Sequence, residues 1–180
     1  MNHSDVIKYW FSEKSRQHWF SSTPEIDNEI KQRFEQLWIN AASGKLNDWQ
    51  DSPQGCLALI IILDQFPLNM FRGQAQSFAS EAQSREVARL AIDKGFDRDL
   101  DPRSRAFLYM PFMHSEVFAD QQLALQLFAQ PGLEDNLRFA RHHHDIVEKF
   151  GRFPHRNTAL GRESSESEIE YLNSKEAFSG

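Results

Sequence analysis

The stretch Thr23-Pro24-Glu25-Ile26-Asp27-Asn28-Glu29-Ile30-Lys31-Gln32-Arg33-Phe34-Glu35-Gln36-Leu37-Trp38-Ile39-Asn40-Ala41 decides the fold class. Its apolar residues Ile26, Ile30, Phe34, Leu37, Trp38 and Ala41 recur at helical steps of four and three, one continuous stripe along a helix. Thr23 is an N-cap candidate, Pro24 suits the first helical position, and Glu25 places an acid in the first turn. Ser43-Gly44 closes the segment.

The same grammar extends outward. Asp5–Phe11 reads as a short helix ending in the pair Trp10-Phe11, with Trp19-Phe20 in the connection that follows. Pro53 opens a helix carrying Leu57-Ala58-Leu59-Ile60-Ile61-Ile62-Leu63. That helix is apolar around most of its surface and is predicted to be central and buried, ending at Asp64-Gln65-Phe66 before Pro67. Residues 78–94 read as helix on Val87, Leu90 and Ala91. Asp101-Pro102 starts another through Ala106, Phe107, Met110 and Met113, with Pro111 expected to kink or break it. Residues 116–129 and 133–150 follow, and Ser165-Glu166-Ser167-Glu168 is a capping box for a last helix. No window alternates with period two for long enough to make a strand. The expectation is an all-α chain of about eight helices in antiparallel neighbouring pairs, one domain over residues 1–180.

Composition narrows the class. The 15 Phe and 4 Trp against 3 Tyr imply an aromatic core. The lone Cys56 allows no internal disulfide and sits beside the apolar run, where a buried inert thiol is expected rather than a nucleophile. The apolar run is too short to cross a bilayer, which takes about 20 residues. No secretory leader is visible after Met1, so a cytoplasmic location and no membrane partner are expected. A net charge of −6 counts against a general nucleic-acid binder. The charge is uneven, however: residues 138–162 hold Arg138, Arg141, Lys149, Arg152, Arg156 and Arg162 against Asp145 and Glu148.

Three polar clusters stand out. The first is Gly151-Arg152-Phe153-Pro154-His155-Arg156-Asn157, with Gly161-Arg162 after it. Gly151 suits a left-handed helix end, and Pro154 prevents continuation. The chain therefore turns a corner there, presenting guanidiniums, an imidazole and an amide suited to bidentate anion contacts. The alternative is that these groups cap helix ends and pair with carboxylates. His143 steps by four from Phe139 and by three to Ile146, which places it on an apolar face, as a core histidine or as a site residue. The second cluster is Asp64-Gln65-Phe66-Pro67-Leu68-Asn69 with Arg72-Gly73, a weak echo of the first at a spacing of 87 residues. The third is His114-Ser115-Glu116, with Asp120 one turn further and on the Glu116 face. His-Glu-x-x-His and cysteine ligand sets are missing from the sequence, as are phosphate-loop and nucleophile-elbow signatures. No metal and no cofactor are expected.

Together these clusters carry a resemblance. Asp64-Gln65-Phe66-Pro67-x-Asn69-x-x-Arg72-Gly73, then Phe107-x-Tyr109-Met110-Pro111-Phe112-Met113-His114-Ser115-Glu116, then Phe150-Gly151-Arg152-Phe153-Pro154-His155-Arg156-Asn157-x-x-x-Gly161-Arg162 is similar to the uncharacterised bacterial family catalogued as domain of unknown function 924. It spans nearly the whole chain, from Val6-Ile7-Lys8-Tyr9-Trp10-Phe11 onward. The resemblance implies a tetratricopeptide-like α–α superhelix and no established activity. One departure is Leu68, where similar proteins often carry Arg after the Pro.

The functional expectation is a helical scaffold whose His/Arg/carboxylate pocket binds an anionic small molecule or a peptide carboxylate. Arg72, Asn69, His114, Arg152, Arg156, Asn157 and Arg162 would be the ligand contacts. The alternative is an enzyme on a small anionic substrate, with His143 or His155 as acid or base and Glu116 or Asp64 orienting it. RNA contact through residues 138–162 ranks third, and the oligomeric state is left open.

Overall fold

The structure is a computed structural model and describes residues 1–178. Among these residues the secondary structure is helical, with no strand. The α segments are α1 (His3–Trp10), α2 (Glu13–Arg16), α3 (Pro24–Ala42), α4 (Pro53–Ile60), α5 (Phe66–Met70), α6 (Glu81–Asp93), α7 (Pro102–Met113), α8 (Phe118–Phe128), α9 (Glu134–Phe150) and α10 (Glu166–Leu172). α2 is a single turn and α4 runs into α5, which leaves about the predicted number of longer helices. None of the described helices is long and apolar enough to cross a membrane.

The chain divides into two compact units. The first is Met1–Arg72 with Gln76–Pro111, and the second is Gly73–Ala75 with the residues from Phe112 onward. The division falls inside α7, which stays helical through Pro111 to Met113 rather than breaking there.

In the first unit, α3 starts where the sequence places it. The Thr23 side chain accepts the Ile26 N–H, Pro24 occupies the first turn, and Ile26, Ile30, Phe34, Trp38 and Ala41 are buried. α4 begins at Ser52, whose hydroxyl accepts the Gly55 N–H at 3.1 Å. Gly55 is obligatory, because a Cβ there would lie 1.9 Å from the Trp49 carbonyl oxygen. Every residue from Cys56 to Leu63 is buried, and α4 packs against both α1 and α6, which bears out its central place. Pairing here is not simply between sequence neighbours, since α1 meets α4 and α3 meets α5. Aromatic rings fill the space between them. Phe34 stacks on Phe66 at 4.4 Å, and Tyr9 tilts against Phe34 at 4.8 Å.

The predicted helix end before Pro67 does not occur. The rod continues from α4 through a π turn, Ile61–Gln65, into α5. A proline in a helix removes its own N–H donor and collides with the carbonyl four residues earlier, here Leu63. The wider π turn accommodates the ring. The Leu63 carbonyl accepts the Ser80 hydroxyl at 2.6 Å instead, and Ser80 in turn accepts the Trp38 indole N–H at 2.9 Å. Ser80 is 1% exposed, so water cannot replace it. Ser80→Ala is therefore expected to lower stability by about 2 kcal/mol, because it strands a buried donor and a buried acceptor together. Urea unfolding checks this, and a loss within error of zero contradicts it.

In the second unit α8 packs on α9. α8 starts at Phe118 rather than 116, because the corner before it is tied down by side chains. The Ser115 hydroxyl donates to Asp120 Oδ2 at 2.7 Å and accepts the Val117 N–H at 3.1 Å. Gln121 Nε2 donates to the carbonyls of Met113 (2.8 Å) and Ser115 (2.6 Å). α10 opens with the predicted capping box between Ser165 and Glu168.

Candidate functional site

The first-unit cluster is engaged in framework contacts. Arg72 grips Asp27 with Nε at 2.7 Å and Nη2 at 3.2 Å, and Asn69 Nδ2 donates to the same carboxylate at 2.7 Å. Burial alone would raise the Asp27 carboxyl, but the hydrogen bonds from Arg72 and Asn69 hold it below its ordinary range. Asp64 is buried, with Gln65 Nε2 donating to its Oδ2 at 2.6 Å. Asp27 was missed in the sequence, where it reads as one of several acids in the first turns of α3. The echo between the two Phe-Pro clusters also dissolves: Pro67 lies inside a helical rod, whereas Pro154 opens a short 3-10 turn.

The second unit holds His114, Glu116, Asp120, His143, Arg152, His155, Arg156, Asn157 and Arg162. α9 ends as predicted at Gly151, whose φ of 71° lies in the left-handed region. The chain then turns, and its arginines are taken up by carboxylates and carbonyls. Arg162 makes a fork onto Glu116, with Nη1 to Oε2 at 2.8 Å and Nη2 to Oε1 at 2.9 Å, while its Nε donates to Asn157 Oδ1 at 3.0 Å. Glu116 Oε1 also accepts the Phe153 N–H at 2.8 Å. Arg152 forks onto Glu168 at 2.6 and 2.8 Å, and its Nη2 also donates to the Glu163 carbonyl at 2.8 Å. Asn157 Nδ2 donates to Ser164 Oγ at 3.0 Å. Buried Arg156 lies 4.7 Å over the Phe153 ring and donates to the His114 carbonyl at 2.9 Å.

The carboxylates respond accordingly. Burial would raise Glu116, yet the Arg162 hydrogen bonds, the Phe153 N–H and the Arg162 and Arg156 charges carry it below the usual range. Glu168 is pulled down to about 2, first by its hydrogen bonds with Arg152. The sequence marks Glu168 as a capping residue, and it does both jobs: its Oε2 also accepts the Ser165 N–H at 2.7 Å.

The imidazoles are placed differently. His143 is 4% exposed, beside Ala140, Ile146 and Val147. The predicted neighbour Phe139 is 50% exposed, because the buried face of α9 runs through Ala140 rather than through it. His143 Nδ1 lies 2.8 Å from the Phe139 carbonyl oxygen. A carbonyl only accepts, so the proton sits on Nδ1 and Nε2 is left with a lone pair. Its ring centroid is 5.5 Å from Phe153, 6.3 Å from His114 and 4.5 Å from Phe178. His155 lies 5.6 Å from Phe153 and 5.1 Å from Phe178, and its Nδ1 is buried with no hydrogen-bond partner. Burial drives the His143 pKa down to about 3, helped by the neighbouring His114. Burial and the Arg156 charge drive His155 down to about 4. Both rings are therefore neutral at neutral pH.

These histidines and phenylalanines form an aromatic cluster, in which the Phe178 ring lies between two uncharged imidazoles, set in a positively charged frame. Phe178 had no sequence signal, since it follows the last helix outside any periodic pattern. Elsewhere Cys56 is fully buried, its thiol pushed up to about 11 by burial, as suits an inert core residue. Among the described residues, His144, Asp145 and Glu148 bring potential metal-ligand atoms within 4.8 Å of one another on the outer surface of α9.

Comparison with curated proteins finds no match. A solved structure of a protein of unknown function from Agrobacterium tumefaciens, ATU0120, is similar to this chain at a TM-score of 0.90 and 38% sequence identity, over 95% of this chain and 96% of that one. The description "bacterial protein of unknown function (DUF924)" matches residues 6–176, and the chain belongs to that bacterial family.

Proposed function

We propose that the second unit is a recognition module for a ligand that presents an aromatic ring beside an anionic group, seated in the place between His143 and His155 that the Phe178 ring takes. One observation carries this reading: two neutral imidazoles flank a phenyl ring edge-on, Phe178 to His143 at 63° and to His155 at 79°. Edge-to-face contact with an uncharged ring suits an aromatic guest. The anionic part follows from the frame. Arg152, Arg156 and Arg162 outnumber Glu116 and Glu168, and the Arg156 charge is felt at His155. The arginines act as a fixed positive field, and the imidazoles do the touching. The tetratricopeptide-like class implied by the motifs fits a binding role, though only by analogy of fold.

Phenylacetate and its uncharged analogue phenylacetamide test this. The full chain is expected to bind phenylacetate in the millimolar range, as suits so small a ligand, and the amide several-fold more weakly. An anion beside His155 favours its protonated form, so affinity is expected to be flat above about pH 6 and to rise as pH falls from about 6 to about 5, toward the His155 value of about 4. His155→Ala is expected to keep the fold and lose both the binding and its pH dependence. Calorimetric titration reads all three. Equal affinity for acid and amide, or binding untouched by His155→Ala, contradicts the proposal.

A further inference from the structure

The place between His143 and His155 is occupied by a segment of the same chain. After α10, the Ser174 hydroxyl donates to the Tyr171 carbonyl at 2.7 Å and accepts the Glu176 N–H at 3.2 Å, which turns the chain back. The Phe178 N–H then donates to the Tyr171 hydroxyl at 2.9 Å. This delivers the Phe178 ring to His143 and His155, and also within 6.3 Å of His142.

The seat is lightly built. Phe178 is only partly buried, packed at the edge of a small core of Ile146, Val147, Phe153 and Tyr171. Asn173, Ser174, Lys175 and Glu176 are all exposed. A segment held by one ring and a few hydrogen bonds, none of them fully buried, opens locally at much lower free energy than the helices beneath it. The groups under the ring are also not those of an ordinary apolar core. They are two imidazoles, one with a buried nitrogen lacking a partner.

We propose that Ser174–Phe178 is an intramolecular stand-in for the natural ligand, and that the natural ligand is a peptide segment presenting a phenylalanine to the same two imidazoles. This rests on the recognition module described above and gives it a partner class and a gate. A tethered ring experiences an effective concentration in the millimolar range. It therefore masks weak ligands and yields to a partner that adds contacts beyond the phenyl group.

The test uses the full-length chain, the variants Phe178→Ala and Tyr171→Phe, and three probes: phenylacetate, acetyl-Lys-Glu-Ala-Phe with a free C-terminal carboxylate, and the same peptide with a final Ala. Removing the competing ring is expected to tighten phenylacetate binding about tenfold in Phe178→Ala. Tyr171→Phe, which only unfastens the segment, is expected to tighten it about threefold. The Phe peptide is expected to bind Phe178→Ala and displace phenylacetate, while the Ala peptide does neither. If phenylacetate binds wild type and both variants equally, the stand-in is wrong and the recognition module stands. If it binds none of them, the module itself fails. If Phe178→Ala gains phenylacetate but never the Phe peptide, the partner is not a peptide. Should Phe178→Ala not fold, Tyr171→Phe decides the same question with the aromatic ring retained.

Discussion

Glu116→Ala is expected to lower stability by about 2–3 kcal/mol, a large loss for one partly buried side chain. One carboxylate there receives both prongs of Arg162 and the Phe153 N–H. Its removal leaves a guanidinium that is largely shielded from water without its counter-charge, beside the Arg156 charge. Breaking one side of such a pair costs far more than the pair itself contributes. Glu116→Gln keeps the shape and one acceptor but loses the charge, and is expected to fall between wild type and Glu116→Ala. The double variant Glu116→Ala with Arg162→Ala is expected to recover part of the loss, since it deletes the stranded charge as well. Denaturant unfolding measures all three. Additive single losses would mean the two groups are not coupled.

The second large effect is on pH. His143 and His155 have folded pKa values of about 3 and about 4, against an ordinary value near 6.5. The unfolded chain takes up protons on these rings as pH falls below about 6.5, and the folded chain does not. Their contribution to stability is therefore complete above the unfolded value, and it is lost as pH falls toward the folded values. With two such groups, the loss between about pH 7.5 and about pH 5 is on the order of 3 kcal/mol. The clamped carboxylates Glu116 and Glu168 have lowered values and add their own loss only at lower pH, so the window above about pH 5 isolates the imidazoles. His143→Gln is expected to flatten about half of this dependence. A stability that does not change over that window would mean that the rings titrate normally.

The helices were legible because burial imposes a period. α3, with its Thr23 cap and its stripe from Ile26 to Ala41, is in the structure as the spacing predicts. The same holds for Gly151 and for the Ser165–Glu168 box. The local rules fail where a side chain far along the sequence overrides them. Pro67 should end a helix, but Ser80, thirteen residues further on, supplies what the proline takes away from Leu63. The arginines were legible as a cluster but not in their allegiance. A guanidinium facing a ligand and one facing Glu116 or Glu168 look alike until the partner's position is known. Phe178 was invisible because its place depends on a turn at Ser174 and a hydroxyl on Tyr171, not on any repeat.

The central claim is that the imidazoles of His143 and His155, rather than the arginines, meet the ligand. Nitrogen-15 spectra of the histidine rings in the full-length chain, recorded as phenylacetate is added, address it directly. The His143 Nε2 and His155 ring signals are expected to move together with a single saturable affinity, while the ring of His144, packed against Phe118, stays in place. Saturable binding that moves the arginine side-chain signals of Arg152 or Arg162 and leaves His143 and His155 unchanged would contradict it.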